Sequence, residues 1–204
     1  MFHTADGSFR YSPSDLVAYL EGDFAAWCER MFAERMRAGG AAGSTRIEWA
    51  TPDEDPESAL AAQKGDEHEH HYLLRMRDRY PGLVEMVRND PAARKQTLAA
   101  MQSAAPMIYQ GHLVVDGWQG YPDFLVRCAG NGCPCHGHHY DPWDTKLARS
   151  AKPYFLIQLC AYAEMLEAIG GFLPNRLVFV MGDETELPFE TRHFFYYYRH
   201  LKRL

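Results

Sequence analysis

Gly120-Tyr121-Pro122-Asp123-Phe124-Leu125-Val126, followed by Tyr140-Asp141-Pro142-Trp143-Asp144-Thr145-Lys146, is the stretch whose reading decides the fold. Both segments are rich in apolar and aromatic residues of strand-forming type. Read as two strands that pair, they bring two carboxylates and a lysine together. Lys146 follows Asp144 by two, so both side chains leave the strand on the same face. A charged pair on one face of an apolar strand calls for a partner, and a metal ion supplies one. Carboxylates suit a hard divalent cation such as Mg²⁺. Such a cation beside a lysine activates water and steadies a phosphorane-like transition state, which is the chemistry of cutting a phosphodiester. Taken alone, Pro-Asp followed by Asp-x-Lys arises readily by chance, as a strand end with a surface aspartate and an ordinary lysine.

Working outward, the region before these strands reads as helical. Ser12 is a good N-cap and Pro13 fits the first helical position. Leu16, Val17, Leu20, Phe24, Trp27 and Met31 then follow at helical spacing, predicting one continuous helix up to the glycine-rich break at 39–43. An acidic, proline-containing loop over 51–57 precedes a second helix over 57–80 and a short third over 90–103. Strand texture begins at 107–116, continues through 118–128 after a turn at Gly117, and returns at 140–147. A long helix over 153–169 ends at Gly170-Gly171, a short buried strand covers 176–181, and a last helix runs over 189–204. No repeat and no clean linker divides the chain. The order of helices, three strands, helix, strand and helix predicts an α/β fold.

Composition sets bounds on function. The 204 residues suffice for one domain, and 47% hydrophobic content allows a substantial core. A net charge of −6 is unfavourable for a protein whose whole surface grips nucleic acid, although a local basic groove or a bound metal offsets it. Met1-Phe2-His3-Thr4-Ala5-Asp6 lacks the basic-then-apolar pattern of a signal peptide, and no run approaches the roughly 20 apolar residues of a membrane span. A cytoplasmic protein that does not associate with membranes is the expectation. The odd cysteine count of five argues against a disulfide framework.

Two further groups bear on the chemistry. Gln158 and Tyr162 sit four apart, on one face of the helix that follows the Asp144 strand. His68 and Glu69 lie on the second helix. Singly, each has an ordinary explanation, a half-exposed helix face or a surface histidine. In order along the chain, however, stand Gly65-Asp66-Glu67-His68-Glu69, Tyr109-Gln110-Gly111-His112-Leu113, Gly120-Tyr121-Pro122-Asp123-Phe124-Leu125, Asp144-Thr145-Lys146-Leu147-Ala148 and Gln158-Leu159-Cys160-Ala161-Tyr162. With these motifs the chain resembles the RecB-like branch of the PD-(D/E)xK nucleases. The nearest likeness is to bacterial RecB-family nucleases whose members begin with a Ser-Pro-Ser-Asp-Leu helix. More distantly it is similar to CRISPR-associated adaptation exonucleases and lambda exonuclease.

The resemblance implies a restriction-endonuclease-like core, a mixed central sheet flanked by helices, with a mainly helical part over 1–105, a catalytic core over 106–185 and a C-terminal helix over 186–204. It implies Asp123, Asp144 and Lys146 as catalytic residues. It implies His68, Asp123, Asp144 and the Thr145 carbonyl as ligands of Mg²⁺ or Mn²⁺, with Glu69 also able to approach. Gln158 and Tyr162 match the family's Q-x-x-x-Y signature and are expected to contact the nucleic-acid backbone. Lys146 would orient or help deprotonate a metal-activated water that hydrolyses DNA, with exonuclease action the expected mode. Relatives often continue into helicase-like or second nuclease modules, so a longer natural protein or a helicase partner is consistent with the resemblance.

Arg149 and Lys152 are candidate phosphate contacts beside the catalytic strand. The run Phe194-Phe195-Tyr196-Tyr197-Tyr198 fits either helix packing or base stacking, and Arg199, Lys202 and Arg203 suit the negative end of a helix. Wider relatives hold an iron–sulfur cluster with one early and three late cysteines. The absence of any cysteine after Cys160 disfavours that cluster here. Cys128, Cys133, Cys135, His136, His138 and His139 lie between the two catalytic segments, at spacings irregular for common zinc knuckles. A bound zinc and a hairpin loop with incidental thiols both remain open. Two other functions stay in view, an inactive nuclease-like module that binds DNA or a partner, and a metal-binding regulator built on the Cys/His loop.

Overall fold

The computed structural model describes residues 2–3, 9–37, 56–129, 137–148, 150 and 152–203. Cys133, Cys135, His136 and Arg149, singled out above, lie outside them. Strands β1 (Phe2–His3) and β2 (Phe9–Arg10) form a small antiparallel pair. There follow α1 (Pro13–Glu21), α2 (Asp23–Arg37), α3 (Pro56–Arg79), β3 (Val84–Glu85), α4 (Ala93–Gln102), β4 (Met107–Tyr109), β5 (Leu113–Val115) and β6 (Trp118–Gly120). The chain continues through β7 (Phe124–Ala129), β8 (His138–Thr145), α5 (Pro153–Gly170), β9 (Arg176–Val180), β10 (Glu186–Glu190) and α6 (Arg192–Leu201). Among the described residues, no helix is long and apolar enough to cross a membrane.

Six strands make one mixed sheet in the order β10-β9-β8-β7-β4-β3. β7 runs antiparallel to both β4 and β8, while β8 and β9 are parallel and joined by the α5 crossover. Period-two alternation gives the sheet two apolar faces. Ile108, Leu125, Tyr140, Leu177 and Phe179 pack into a core shared with α1, α5 and α6. Met107, Phe124, Val126, Trp143, Val178 and Val180 pack with Tyr72, Leu73 and Met76 of α3 on the other face. The molecule is therefore mixed α/β, a central sheet with helices on both faces, as the element order predicts.

The departures from the sequence reading have local causes. The first predicted helix is two, because Gly22, a poor helix former, stands between α1 and α2 in an extended conformation with φ 178°. The predicted strand over 107–116 breaks where Gln110 adopts φ 53°, and Asp116 and Gly117, with φ 47° and 79°, form the tight turn of a separate β5–β6 hairpin. The strand over 118–128 likewise breaks between β6 and β7. The expected helix over 189–204 begins only at Arg192, since β10 pairs along β9 before it. The α5 helix ends as read, with Gly171 at φ 73° donating its N–H to the Glu167 carbonyl at 2.7 Å.

Tyr162 on α5 meets β6 at Gly120, where an added Cβ would lie 2.6 Å from the Tyr162 ring. Gly120→Ala is expected to destabilise the fold by about 1–3 kcal/mol through overpacking. Gly65 in α3 has open space around its would-be Cβ, and Gly65→Ala should stabilise by about 0.5–1 kcal/mol. Urea unfolding of the two variants checks the opposite signs.

Candidate functional site

β7 and β8 pair with Phe124 opposite Trp143, and one further step along the same register sets Asp123 opposite Asp144. Directly opposed residues share a face of the sheet. Thr145 secures the arrangement, its backbone N–H and its Oγ1 both donating to Asp123 Oδ2, at 2.7 and 2.8 Å. Lys146 Nζ lies 2.5 Å from Asp144 Oδ2, one face-step along β8, and 5.3 Å from the centre of the Phe155 ring.

The long α3 helix delivers a third carboxylate. Gln110 donates through Nε2 to Glu69 and, at 3.4 Å, to Asp123 Oδ1, while its Oε1 accepts from Arg88 Nε at 2.9 Å. The left-handed backbone that ends β4 at Gln110 thus turns an amide between two acids and an arginine. Arg88 also lies 5.7 Å from the centre of the Tyr121 ring, at the rim of the group.

Burial makes this group electrostatically tense. Asp144 is 2% exposed, and desolvation followed by the charge of Asp123 pushes its carboxyl up to about 7. Burial and then Asp123 likewise raise Glu69. Burial alone would lower the Lys146 ammonium, but Asp144 and then Asp123 hold it above its ordinary value, so Lys146 is a charged donor here. Crowded oxygen donors with less positive charge than they need are the chemistry of a site for a hard divalent cation. The donor types suit such an ion, while among the described residues the group that brings three ligating atoms within 4.8 Å of one another is Cys128, His139 and Asp141.

Of the residues singled out from sequence, Asp123, Asp144, Thr145 and Lys146 come together. His68 is buried on α3, and its Nε2 has no hydrogen-bond partner. The hydrogen-bonded link from α3 to Asp123 runs through its neighbour Glu69. Tyr162 differs from expectation. It is 4% exposed and donates its hydroxyl to the Tyr121 carbonyl at 3.3 Å, so it positions the turn before Asp123 rather than offering a surface to a nucleic-acid backbone. Gln158, one turn earlier on the same helix, is half-buried. Lys152 is exposed, with its Nζ 5.6 Å from the Tyr154 ring centre. The aromatic run of α6 divides, Phe195 and Tyr198 buried and Tyr196 and Tyr197 exposed. Lys202 and Arg199 pair with Glu164 and Glu167 of α5.

No family model and no curated protein matches the chain. The residues themselves therefore carry the argument.

Sequence reading assigned no role to Gln110 or Arg88 and left Glu69 at the margin. Gln110 stood in a quoted motif, but its left-handed backbone becomes visible only in the structure. The Cys/His region also rearranges. Cys128 lies opposite His139 in the β7–β8 register and comes together with His139 and Asp141. His138, expected to join the cysteines, sits on the alternate face with a ring nitrogen 3.0 Å from the Met101 carbonyl.

Thr145→Ala removes one of the two donors to Oδ2 of the buried Asp123 carboxylate. It should cost about 1.5–3 kcal/mol in denaturant unfolding, the range for a hydrogen bond to a charged group. Thr145→Ser, which keeps the hydroxyl, should recover most of that loss.

Proposed function

We propose that the chain is a Mg²⁺- or Mn²⁺-dependent deoxyribonuclease of the RecB-like PD-(D/E)xK type, built on a restriction-endonuclease-like core and acting as an exonuclease. The observation that carries this reading is Asp123 held opposite Asp144 on paired strands, with Lys146 on the same face as Asp144. The resemblance in five ordered motifs supports the family, and the mixed sheet flanked by helices is consistent with it.

Asp123, Asp144 and Glu69 would hold the ion, with the Thr145 carbonyl and the unpartnered His68 Nε2 as further donors. When bound, the ion supplies Lewis-acid stabilisation of the scissile phosphate and a water made nucleophilic at neutral pH. The chain's own groups do the rest. Lys146, charged and held by Asp144, presents N–H donors to the attacking water or to a phosphate oxygen. Thr145 keeps the Asp123 carboxylate from rotating by two hydrogen bonds to one oxygen. Gln110 fixes the spacing between Glu69 and Asp123. Arg88, at the rim, offers positive charge where a phosphodiester backbone would approach an otherwise acidic site. Tyr162, closing on Gly120 and the Tyr121 carbonyl, keeps the turn that carries Asp123 in place.

The test is degradation of end-labelled linear DNA, single- and double-stranded, with closed circular DNA as the control for end dependence. Wild type should degrade linear DNA only with Mg²⁺ or Mn²⁺. Asp144→Ala and Lys146→Ala should each lower the rate by at least about 10²–10³-fold, the scale on which a single preorganised electrostatic group acts. Arg88→Ala should weaken DNA binding and flatten its salt dependence while leaving metal binding intact. A wild-type protein that degrades no DNA with either metal overturns the proposal.

A further inference from the structure

At the far end of the same strand pair a second group of ligating side chains converges. Cys128 Sγ, one His139 ring nitrogen and an Asp141 carboxylate oxygen all lie within 4.8 Å of one another. Cys128 and His139 are direct partners in the β7–β8 register, and Asp141 is two residues beyond His139, so the side chains share a face. Asp141 lies three residues from Asp144, and His139 and Cys128 lie five from Asp144 and Asp123, about 10–17 Å at the usual rise; these odd offsets place the group on the other face from Asp144 and Lys146.

The group is built for a ligand rather than merely crowded. Asp141 is 1% exposed, and its Oδ1 has no hydrogen-bond partner; Nδ1 of His139 is likewise buried and unpartnered. His139 Nε2 stands 3.6 Å from Asp141 Oδ1, and Cys128 Sγ 3.0 Å from Asp141 Oδ2. Tetrahedral zinc with sulfur, nitrogen and oxygen ligands needs these atoms about 3.3–3.6 Å apart, so little movement is required. A thiolate, an imidazole and a carboxylate together select zinc over Mg²⁺ or Ca²⁺. Phe172 packs its ring 4.7 Å from that of His139 and walls one side.

Arg176 is the positive charge now present. Its Nε donates to Asp141 Oδ2 at 3.2 Å, and a terminal nitrogen lies 3.7 Å from Cys128 Sγ. Its side chain is 57% exposed, so it can withdraw into water. We propose that Cys128, His139 and Asp141 form a zinc site, that Arg176 occupies the ion's place in the metal-free protein, and that zinc displaces it while a water completes the tetrahedron. The site is independent of the nuclease reading, because none of its ligands touches Asp123, Asp144 or Lys146. Its role is to tie the end of the β7–β8 pair where the chain passes from one strand to the other, opposite the end that carries the opposed aspartates.

The experiment uses the full chain stripped with chelator, titrated with Zn²⁺ by calorimetry and with Co²⁺ by absorption. One equivalent of Zn²⁺ should bind, and Co²⁺ should give a thiolate-to-metal charge-transfer band that a carboxylate-only site cannot produce. Cys128→Ser and His139→Gln should each weaken Zn²⁺ binding more than about 100-fold, beyond the 10–100-fold expected for loss of an outer-shell partner. Arg176→Gln should bind Zn²⁺ more tightly than wild type. That variant keeps all three ligands, so its result stands even where a ligand variant folds poorly. Absence of the Co²⁺ thiolate band overturns the proposal. So does a band retained in Cys128→Ser but lost in Cys133→Ser or Cys135→Ser, as does Arg176→Gln binding that is unchanged or weaker. Failure of the nuclease assay alone leaves this site standing, and failure here leaves the nuclease reading standing.

Discussion

The antiparallel register between β7 and β8 is the constraint on which the rest of the structure depends. It sets Phe124 against Trp143, and hence Asp123 against Asp144 and Cys128 against His139. A slip of one residue would turn Asp144 and Lys146 toward the α3 core and send Trp143 out of it. That slip is opposed from both faces, because Leu125 and Tyr140 are buried on one and Phe124, Val126 and Trp143 on the other. The two hydrogen bonds from Thr145 to Asp123 lock the same register at the charged end. Hydrophobic packing thereby holds in place a set of charges that would not assemble by themselves.

Those charges work against folding. Asp144 is buried beside Asp123, and both its own carboxyl and that of Glu69 are pushed up by burial and mutual repulsion. A stable protein tolerates such a group where function calls for it and other parts of the fold offset its cost. Here the offset comes from two apolar layers and from the helices that cover them. α5 contributes nine buried residues, and Tyr162 among them carries the packing onto Gly120 and the turn before Asp123. α3 reaches across the opposite face with Tyr72 and Met76, and the same helix places its Glu69 within reach of Gln110 at the end of β4. One helix thus serves both as core and as donor of an acid.

The two ends of the β7–β8 pair differ in chemistry. At one end carboxylates and a lysine meet; at the other a thiol, an imidazole and a carboxylate meet with an arginine. Hard and soft donor sets of this kind discriminate between ions by ligand type rather than by overall affinity. An ion at the second end would brace the strands whose alignment defines the first.

Much of the framework was legible in the sequence. Period-two and period-3.6 patterns located the long helices and the strands around Asp123 and Asp144, and Gly171 marked the end of α5 where expected. The small β1, β2, β3 and β10 strands were not legible, since two- to five-residue segments owe their form to the neighbour they pair with. The catalytic candidates could be named because their spacing within one strand fixes a shared face. Their companions could not. Gln110 depends on a left-handed backbone, Arg88 and Glu69 come from distant segments, and Tyr162 proved to be packing once Gly120 was seen beneath it. Asp141 passed as an ordinary strand residue until the register and the parallel neighbour Arg176 surrounded it with ligating groups. By itself the sequence determined which residues alternate, where the long α5 helix stops and which side chains share a strand face, because these follow from local periodicity and backbone sterics. Only the tertiary structure decided which faces meet, because that depends on register and burial between segments far apart in the chain.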